Sequence, residues 1–452
     1  PQMASEITGV SPKVIEQTAR VFADAQPGMI YAGYASCKWL HGDLLQRAML
    51  LMLALTGSTG KEGGGLQIAN SPNARGLTQF GFSDIGPAFR LISSTTWDYD
   101  HADMKELNKK IYGNDLAEKF DRYYKKSIEE DWIPHYSQNG WKMGIFAGNN
   151  GANWRATGST WRKTAFEELE TIVSLAPDMG VTSLFSDYVL PIAHHYERND
   201  LMLQSRVPYL QVLTEAVPPL GEAVDDWEAN RRLAEAISRR AKERGVKPIQ
   251  DAVDGRTIRR DYTKTLDLYT MGGRVNNSID VAQFIINASH GIPKISFEEL
   301  SQKGIVKVEG VENTMWDKDE SPFHNEIVKS VQKKLPYETF TGRQQFYIDH
   351  EWFIEFGETL PTFKEPLKIK GYPMRMMMGH ARHGIHSTWR DDSLLLSLQR
   401  GEPDIYVNPD DASLRDVADG DMIRVYNTAC LLYTSDAADD SLRVDLGGRR
   451  II

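Results

Sequence analysis

The sequence has no excess of positive charge and no long apolar run. Its 452 residues carry a formal net charge of −10, which argues against a nucleic-acid-binding protein, because such proteins need a basic surface to meet the phosphate backbone. No apolar stretch approaches the roughly 20 residues of a membrane span. With 41% hydrophobic and 25% charged residues, the composition is that of a globular protein of about two to four domains.

Cysteine is almost absent, with two residues in the whole chain. Cys430 opens a stretch in which residues 430–439 resemble the translation of a transposase-type sequencing adapter, and residues 444–452 resemble that of the primer that follows it. We expect residues 430–452 to be an artefact of read-through; the alternative is a genuine short tail. Cys37 is then the only cysteine, too few for an internal disulfide or an iron–sulfur motif. The chain opens on Pro1 and its start looks cut, so we expect any targeting signal or upstream domain to be missing.

Two common nucleotide-binding loops are also missing. The glycine run from Gly57 to Gly65 has no Gly-Lys-Ser/Thr between a strand and a helix, so it fails the phosphate-loop pattern. It predicts a turn or a close approach of two backbone segments instead. No Gly-x-Gly-x-x-Gly turn follows a predicted strand, which argues against a nicotinamide-dependent dehydrogenase.

Short apolar strands alternate with amphipathic helices, a pattern that predicts an α/β fold with doubly wound sheets. Helices are predicted over residues 12–25, over 44–55 (mostly buried) and between Asp225 and Gly245; strands are predicted over residues 29–32, 141–147 and 171–176, with a further short segment over 181–191. Residues 96–140 are charged and aromatic, which indicates a helical surface insertion.

The pattern changes after residue 366 to short strands and tight turns. Strands are predicted over 405–407 and 422–426, with turns at 408–411 and 419–421. This part predicts the truncated start of a C-terminal β-barrel domain. The fold class is therefore α/β, with doubly wound sheet domains followed by the beginning of a barrel.

Polar residues gather where predicted strands end, and this is where doubly wound folds bind ligands. The loop before the second helix carries His41, and the next strand runs into Gly148, Asn149 and Asn150. Asp178 follows the strand after that. Each of these residues has an alternative interpretation as a helix cap or turn former.

The densest polar cluster lies in residues 379–391, with three histidines, two arginines and two hydroxyls. So many hydrogen-bond donors in one place suit a polar, anionic or heterocyclic ligand. The alternative is a solvated loop.

Four separated stretches resemble the catalytic alpha subunit of molybdopterin oxidoreductases of the dimethyl sulfoxide reductase family, in its nitrate reductase-like (type II) branch. They are His41-Gly42-Asp43 with Arg47 and the run from Ala54 to Gly65; Gly148-Asn149-Asn150; Asp178 to Glu197; and His380 to Asp391 with Gln399-Arg400-Gly401 and Val407 to Ala412. The third stretch departs from the family signature, because Ser186 stands before Asp187. The resemblance covers most of residues 8–429.

The resemblance implies a cofactor, molybdenum held by two molybdopterin guanine dinucleotides. Residues implied near it are Gly148, Asn149, Asn150 and Asp178 for one dinucleotide; Gly379, His380, Arg382, His386, Ser387 and Thr388 for pterin or phosphate; and His41 for the pocket near the metal. Implied domains are 1–140 (the C-terminal part of the third family domain), 141–365 (dinucleotide-binding α/β) and 366–429 (pterin-binding barrel). The metal ligand and an iron–sulfur cluster belong upstream of Pro1 in the family, so no catalytic or metal-ligating residue is assigned, and the chain is expected to be inactive alone.

The resemblance further implies the transfer of an oxygen atom and two electrons, with reduction of an oxyanion such as nitrate or (per)chlorate in anaerobic respiration as the first expectation. Oxidation of ethylbenzene, dimethyl sulfide or nitrite is one alternative, and a non-catalytic iron–sulfur electron-transfer subunit is another. Implied partners are a small-molecule substrate and an iron–sulfur electron-transfer subunit, with a haem or membrane-anchor subunit as a further partner.

Overall fold

A computed structural model describes a large part of the chain. The chain divides into two compact units, each made of three segments that alternate with those of the other unit along the sequence. The described residues are 1–33, 41–61, 63–67, 106, 109, 113–130, 142–154, 161–162, 165–203, 209–253, 256–289, 292–308, 330–331, 333–337, 339–365, 372–374, 392–398, 404–425 and 442–445. The first unit comprises Pro1–Phe80, Asn199–Thr214 and Ser278–Leu367; the second comprises Gly81–Arg198, Glu215–Asn277 and Lys368–Ile452.

Helices and strands alternate along the described chain, which confirms the α/β class. The helices are α1 Gln2–Thr8, α2 Pro12–Asp24, α3 Gly42–Leu55, α4 Asn114–Glu129, α5 Gly151–Trp154, α6 Ala165–Glu168, α7 Val181–Leu184, α8 Asp226–Glu243, α9 Thr265–Tyr269, α10 Ser278–Ala288, α11 Phe297–Lys303, α12 Glu351–Glu355, α13 Ser393–Ser397 and α14 Pro409–Ser413, with single 3-10 turns at His195–Glu197 and Tyr262–Lys264. The strands are β1 Met29–Tyr31, β2 Gly65–Gln67, β3 Met143–Ala147, β4 Thr171–Ala176, β5 Tyr188–Pro191, β6 Asp200–Leu203, β7 Tyr209–Leu213, β8 Ile249–Val253, β9 Arg256–Arg260, β10 Ile305–Lys307, β11 Asp404–Tyr406, β12 Met422–Ile423 and β13 Leu442–Asp445.

The second unit is built on a parallel sheet in the order β3-β4-β5. Met143 pairs with Thr171 and Ala147 with Leu175, so β3 and β4 end at the same edge of the sheet. One face of the sheet packs against a cluster that includes Trp161, Phe166 and Val181. Helices on a parallel sheet are what a doubly wound pattern predicts.

The first unit contains a parallel pair, β1 with β2, and an antiparallel sheet in the order β10-β7-β6. A compact apolar core lies against this antiparallel sheet. It consists of Leu210, Ile286, Ile292, Ile295, Leu300 and Val308. Burying such a contiguous set of aliphatic side chains stabilises this unit.

The glycine run that follows α3 brings two backbone segments into close contact. A Cβ atom built on Gly64 would lie 2.3 Å from the backbone oxygen of Ser58, a distance no side chain tolerates. Ser58 is fully buried and its hydroxyl accepts a hydrogen bond from the Gly28 amide at 2.9 Å. The predicted close approach is therefore confirmed, and it ties the loop after α3 to the start of β1.

Several local predictions are corrected by the structure. Residues 408–411 form the start of helix α14 rather than a turn, because the Asn408 side chain caps Asp410 and Pro409 occupies the first turn. Residues 181–191 are two elements, α7 and β5, rather than one segment. Helix α3 is not mostly buried, since Leu45 and Leu55 on it are exposed. Helix α1 is an element that sequence reasoning missed.

The described C-terminal strands form a three-stranded sheet in the order β11-β13-β12 rather than a closed barrel. Strand β13 lies within residues 430–452 and pairs in parallel with β11. Strand β12 is described over two residues, shorter than the predicted 422–426. Within the part of the chain that the structure describes, no helix is long and apolar enough to cross a membrane.

Candidate functional site

The carboxyl ends of β3 and β4 bring together four of the predicted site residues. Gly148, Asn149 and Asn150 follow β3. Asp178 follows β4, the strand next to β3 in the sheet. The Gly148 amide donates to the Leu175 carbonyl of β4 at 3.3 Å, which continues the pairing one residue beyond the end of β3. These residues therefore share one edge of the sheet, as the sequence predicted.

Asn150 joins the two loops at this edge. Its Oδ1 accepts hydrogen bonds from the Thr182 amide at 2.9 Å and from the Thr182 hydroxyl at 2.8 Å. Because a backbone N–H can only donate, the atom facing it must be the oxygen, and the side-chain NH₂ is the donor that remains. The orientation of Asn150 is thus fixed by contacts within the protein.

A layer of buried hydroxyls lies below this edge. Thr182 is 2% exposed, and its hydroxyl accepts from the Ala152 amide at 3.1 Å. The Ser174 and Ser183 hydroxyls lie 3.0 Å apart, and both side chains are buried. Buried hydroxyls with partners hold a loop rigidly, because breaking one bond leaves a polar atom unsatisfied. Rigid loops at a strand end suit ligand binding.

The space beside Gly148 fits a ligand that approaches the backbone. Gly148 has a φ of +56°, and a Cβ atom built there would meet nothing within 4 Å. Gly148, Asn149 and Asp178 are exposed at this end of the sheet. An open backbone position flanked by amide donors and a carboxylate acceptor matches the chemistry of a nucleotide base, which carries both donors and acceptors.

Arg162 adds a positive charge close to this edge, and sequence reasoning missed it. Its Nη1 donates to the Ala152 carbonyl at 3.0 Å, and its guanidinium carbon lies 5.6 Å from the centre of the Phe185 ring. No periodic pattern or motif surrounds Arg162 in the sequence, so only the structure shows that it contacts α5.

In the first unit, His41 sits just before α3 in an unusual backbone conformation. Its φ is +71°, the left-handed region, which costs a residue other than glycine on the order of 1 kcal/mol. Its Nδ1 lies 2.5 Å from the Glu358 Oε1, and both side chains are largely buried. Sequence reasoning missed Glu358, because the contact joins residues 317 positions apart and leaves no local signal.

The remaining predicted site residues, Gly379, His380, Arg382, His386, Ser387 and Thr388, lie outside the described residues. The roles of all the predicted site residues therefore stay predictions. Among the residues that the structure describes, no three histidine, cysteine, aspartate or glutamate side chains come together as a metal-binding group.

Together the parallel sheet and the polar edge define an α/β protein with a candidate ligand site at the carboxyl ends of its strands. Comparison with known protein families identifies the family within this class. The family described as Molybdopterin oxidoreductase matches residues 15–236, and the one described as Molydopterin dinucleotide binding domain matches residues 374–430. The chain belongs to the molybdopterin oxidoreductases, a family of enzymes, which confirms the resemblance seen in its motifs.

Three similar proteins are alpha subunits of two reductases and a dehydrogenase. The respiratory nitrate reductase subunit alpha of Haloferax mediterranei is 33% identical over 450 residues, covering 94% of this chain and 45% of its own length. The perchlorate reductase subunit alpha of Dechloromonas aromatica is 34% identical, and the match covers 94% of this chain and 46% of that protein. The dimethylsulfide dehydrogenase subunit alpha of Rhodovulum sulfidophilum is 30% identical, and the match covers 98% of this chain and 50% of that protein. The chain thus spans about half the length of these relatives.

The fold is also similar to a solved structure, acetylene hydratase from Pelobacter acetylenicus. The TM-score is 0.58 over 93% of this chain and 53% of that one, at 18% sequence identity. This similarity supports the α/β fold.

Proposed function

We propose that the chain is part of the catalytic alpha subunit of a molybdenum oxidoreductase of the nitrate reductase-like branch. The observation that carries the proposal is the pair of family matches in chain order, with a molybdopterin dinucleotide-binding domain at residues 374–430. The open backbone beside Gly148 and the donors around it support the binding of one guanine dinucleotide. When bound, the molybdenum cofactor supplies the transfer of an oxygen atom coupled to two electrons.

The protein's own part in this proposal is to bind and orient the cofactor. Gly148, Asn149, Asn150 and Asp178 hold one guanine dinucleotide, with Asn150 presenting its NH₂ group because its oxygen is already bound to Thr182. His41 lines the pocket near the metal. The pterin and phosphate groups take their donors from Gly379, His380, Arg382, His386, Ser387 and Thr388.

The substrate we propose is an oxyanion such as nitrate, perchlorate or chlorate. Relatives named for nitrate and perchlorate reduction are 33% and 34% identical to this chain. An oxidising function in the same branch, on a substrate such as dimethyl sulfide, is the second candidate, since the dimethylsulfide dehydrogenase relative matches 98% of the chain.

The proposed partners follow from the names of the relatives, which are alpha subunits. An alpha subunit implies others. We assign them as an iron–sulfur electron-transfer subunit and, beyond it, a haem or membrane-anchor subunit. We further propose an iron–sulfur cluster in the alpha subunit, outside the residues of this chain.

The test is to produce the enzyme with its partner subunits and to measure bound molybdenum and guanine nucleotide. Dye-linked reduction of nitrate, chlorate and perchlorate is then compared with dimethyl sulfide oxidation. We expect both metal and nucleotide, with faster oxyanion reduction. Enzyme without metal contradicts the proposal, and faster dimethyl sulfide oxidation favours the second candidate.

A matched pair of variants tests the dinucleotide site. Gly148→Ala and Gly221→Ala both place a methyl group on a left-handed glycine with nothing within 4 Å, so their backbone cost is similar. We expect only Gly148→Ala to lower the amount of guanine nucleotide per protein. Equal nucleotide in both variants would remove Gly148 from the site.

A further inference from the structure

The inference concerns Glu358 and its contact with His41, both in the first unit. The His41 Nδ1 lies 2.5 Å from the Glu358 Oε1, and the side chains are 16% and 14% exposed. Four described non-glycine residues have a positive φ: His41, Met271, Lys334 and Asp416. Of these four, His41 is the one whose side chain is bound to a carboxylate. Strain of this kind tends to be kept where a side chain must be placed for function.

The segment that carries Glu358 is anchored without His41. The Arg47 Nη1 donates to the Glu358 carbonyl at 2.7 Å, and its Nη2 donates to the carbonyls of Thr359 at 2.7 Å and Phe346 at 3.1 Å. Three charge-assisted bonds to the backbone hold the segment against α3. The segment is therefore docked by bonds other than the contact between the two side chains.

A further cation lies close to the carboxylate of Glu358. Lys364 Nζ lies 3.8 Å from the same Oε1, and the Asp43 Oδ2 lies 3.7 Å from the Arg47 Nη1, the atom that donates to the Glu358 carbonyl. A carboxylate has no proton to donate, so a hydrogen bond at this distance puts the proton on the histidine Nδ1. In neutral histidine the other ring nitrogen, Nε2, then carries the lone pair.

We propose that Glu358 is a positioning residue that holds the His41 imidazole with Nδ1 protonated and Nε2 as its proton acceptor in the site. The proposal rests on the proposed function, because that function places His41 in the pocket. Reduction of nitrate to nitrite consumes two protons and two electrons and releases one water. The electrons come from the partner subunit. As one N–O bond breaks, His41 gives one proton from Nε2 to the departing oxygen, and solvent supplies the second proton and reprotonates Nε2.

The first test reads the tautomer of His41 directly in the folded chain. Histidine is labelled with ¹⁵N in the ring, long-range ¹H–¹⁵N spectra are recorded, and His41→Gln assigns the signal. We expect the neutral wild-type ring to carry its proton on Nδ1. Glu358→Leu removes the acceptor, and the ring should shift to the Nε2-protonated form. Glu358→Gln keeps an oxygen acceptor without the charge, so it should preserve the wild-type tautomer.

The second test uses the holoenzyme. We expect Glu358→Leu to lower kcat for nitrate by about 10-fold with KM unchanged, and Glu358→Gln to restore most of it. Glu170→Leu is the matched control, since Glu170 pairs with Lys142 at 2.5 Å but both side chains are exposed. It should change neither kcat nor the His41 tautomer.

The outcomes separate this proposal from the proposed function. A wild-type His41 that carries its proton on Nε2 overturns the positioning role, and this measurement needs no variant at Glu358. An unchanged tautomer in Glu358→Leu, or equal loss of kcat in the leucine and glutamine variants, overturns it as well. If the wild-type holoenzyme fails to reduce any oxyanion, the proposed function fails while the tautomer still decides the role of Glu358.

Discussion

The hydroxyl of Thr182, together with the Thr182 backbone amide, connects the two loops of the candidate dinucleotide site. It donates to the Asn150 Oδ1 and accepts from the Ala152 amide, and the side chain is almost fully buried. The sequence placed Asn150 at the end of a strand, because local strand and loop signals sufficed. The bond between Asn150 and Thr182 spans 32 positions, so no local pattern indicated it.

Replacing Thr182 with valine keeps the shape of the side chain and removes this hydroxyl. The buried Ala152 amide loses its partner, and we expect the free energy of unfolding to fall by about 1–3 kcal/mol. Chemical denaturation of the folded chain measures the change. Thr8→Val is the control: its hydroxyl bonds the Ala4 carbonyl on an exposed helix, so water replaces the contact and the loss should stay within about 0.5 kcal/mol. Equal losses at both positions would show that the hydroxyl does not hold the two loops.

At the scale of elements, helix α8 shows that the residues at the two ends of a helix can define its bounds in the sequence. The Asp225 side chain caps the Glu228 amide at 2.7 Å, and basic residues occupy the last turn. These signals lie within a few residues of the helix, so its bounds were predicted closely. The same signals at Asn408-Pro409 were read as a turn, because a helix of five residues has no apolar periodicity to distinguish it.

Helix α8 also carries an ion pair with a defined pH dependence. Glu228 accepts hydrogen bonds from the Arg231 Nε at 2.7 Å and from Nη2 at 3.0 Å. The hydrogen bond from Arg231 is the main reason that the pKa of Glu228 falls from 4.5 to about 2. A lowered folded-state pKa stabilises the protein above pH 4.5, and this stabilisation is lost as the pH falls toward about 2.

We therefore expect Glu228→Gln to destabilise the chain at pH 7 by about 1 kcal/mol, because the pair is partly solvated. The difference from wild type should shrink below pH 4.5 and vanish near pH 2. Urea unfolding at several pH values measures this. Glu243→Gln, on the exposed end of the same helix, should show a smaller effect at neutral pH. A difference that persists unchanged at pH 2 would contradict the assignment.

At the scale of the whole molecule, the sequence predicted the α/β class and the family but not the interleaving of the two units. Alternation of strands and helices is local, whereas the return of residues 199–214 and 278–367 to the first unit depends on packing between distant segments. The core that includes Leu210, Ile286 and Leu300 is an example, since its members look like ordinary buried residues in separate elements.

The role of residues 430–452 is a further prediction at this scale. The dinucleotide-binding match ends at residue 430, where the adapter-like stretch begins. We expect a chain that ends at Ala429 to have the same Tm as the full chain, even though β13 pairs with β11 and β12. A chain with residues 430–452 replaced by a glycine–serine linker of equal length controls for length. A fall of several degrees in both would show that the tail belongs to the fold.

The bonds from Arg47 to the carbonyls of Glu358 and Thr359 have a consequence for synthesis. They join residues 311 and 312 positions apart. At about 5–20 residues per second, a ribosome needs roughly 15–60 s to add that many residues. Helix α3 therefore emerges long before its partner segment exists. Leu44 and Leu53, which are buried in the folded unit, must be shielded from aggregation until that unit is complete. Chaperones that hold nascent chains would act here, and the yield of folded enzyme should depend on them more than its equilibrium stability does.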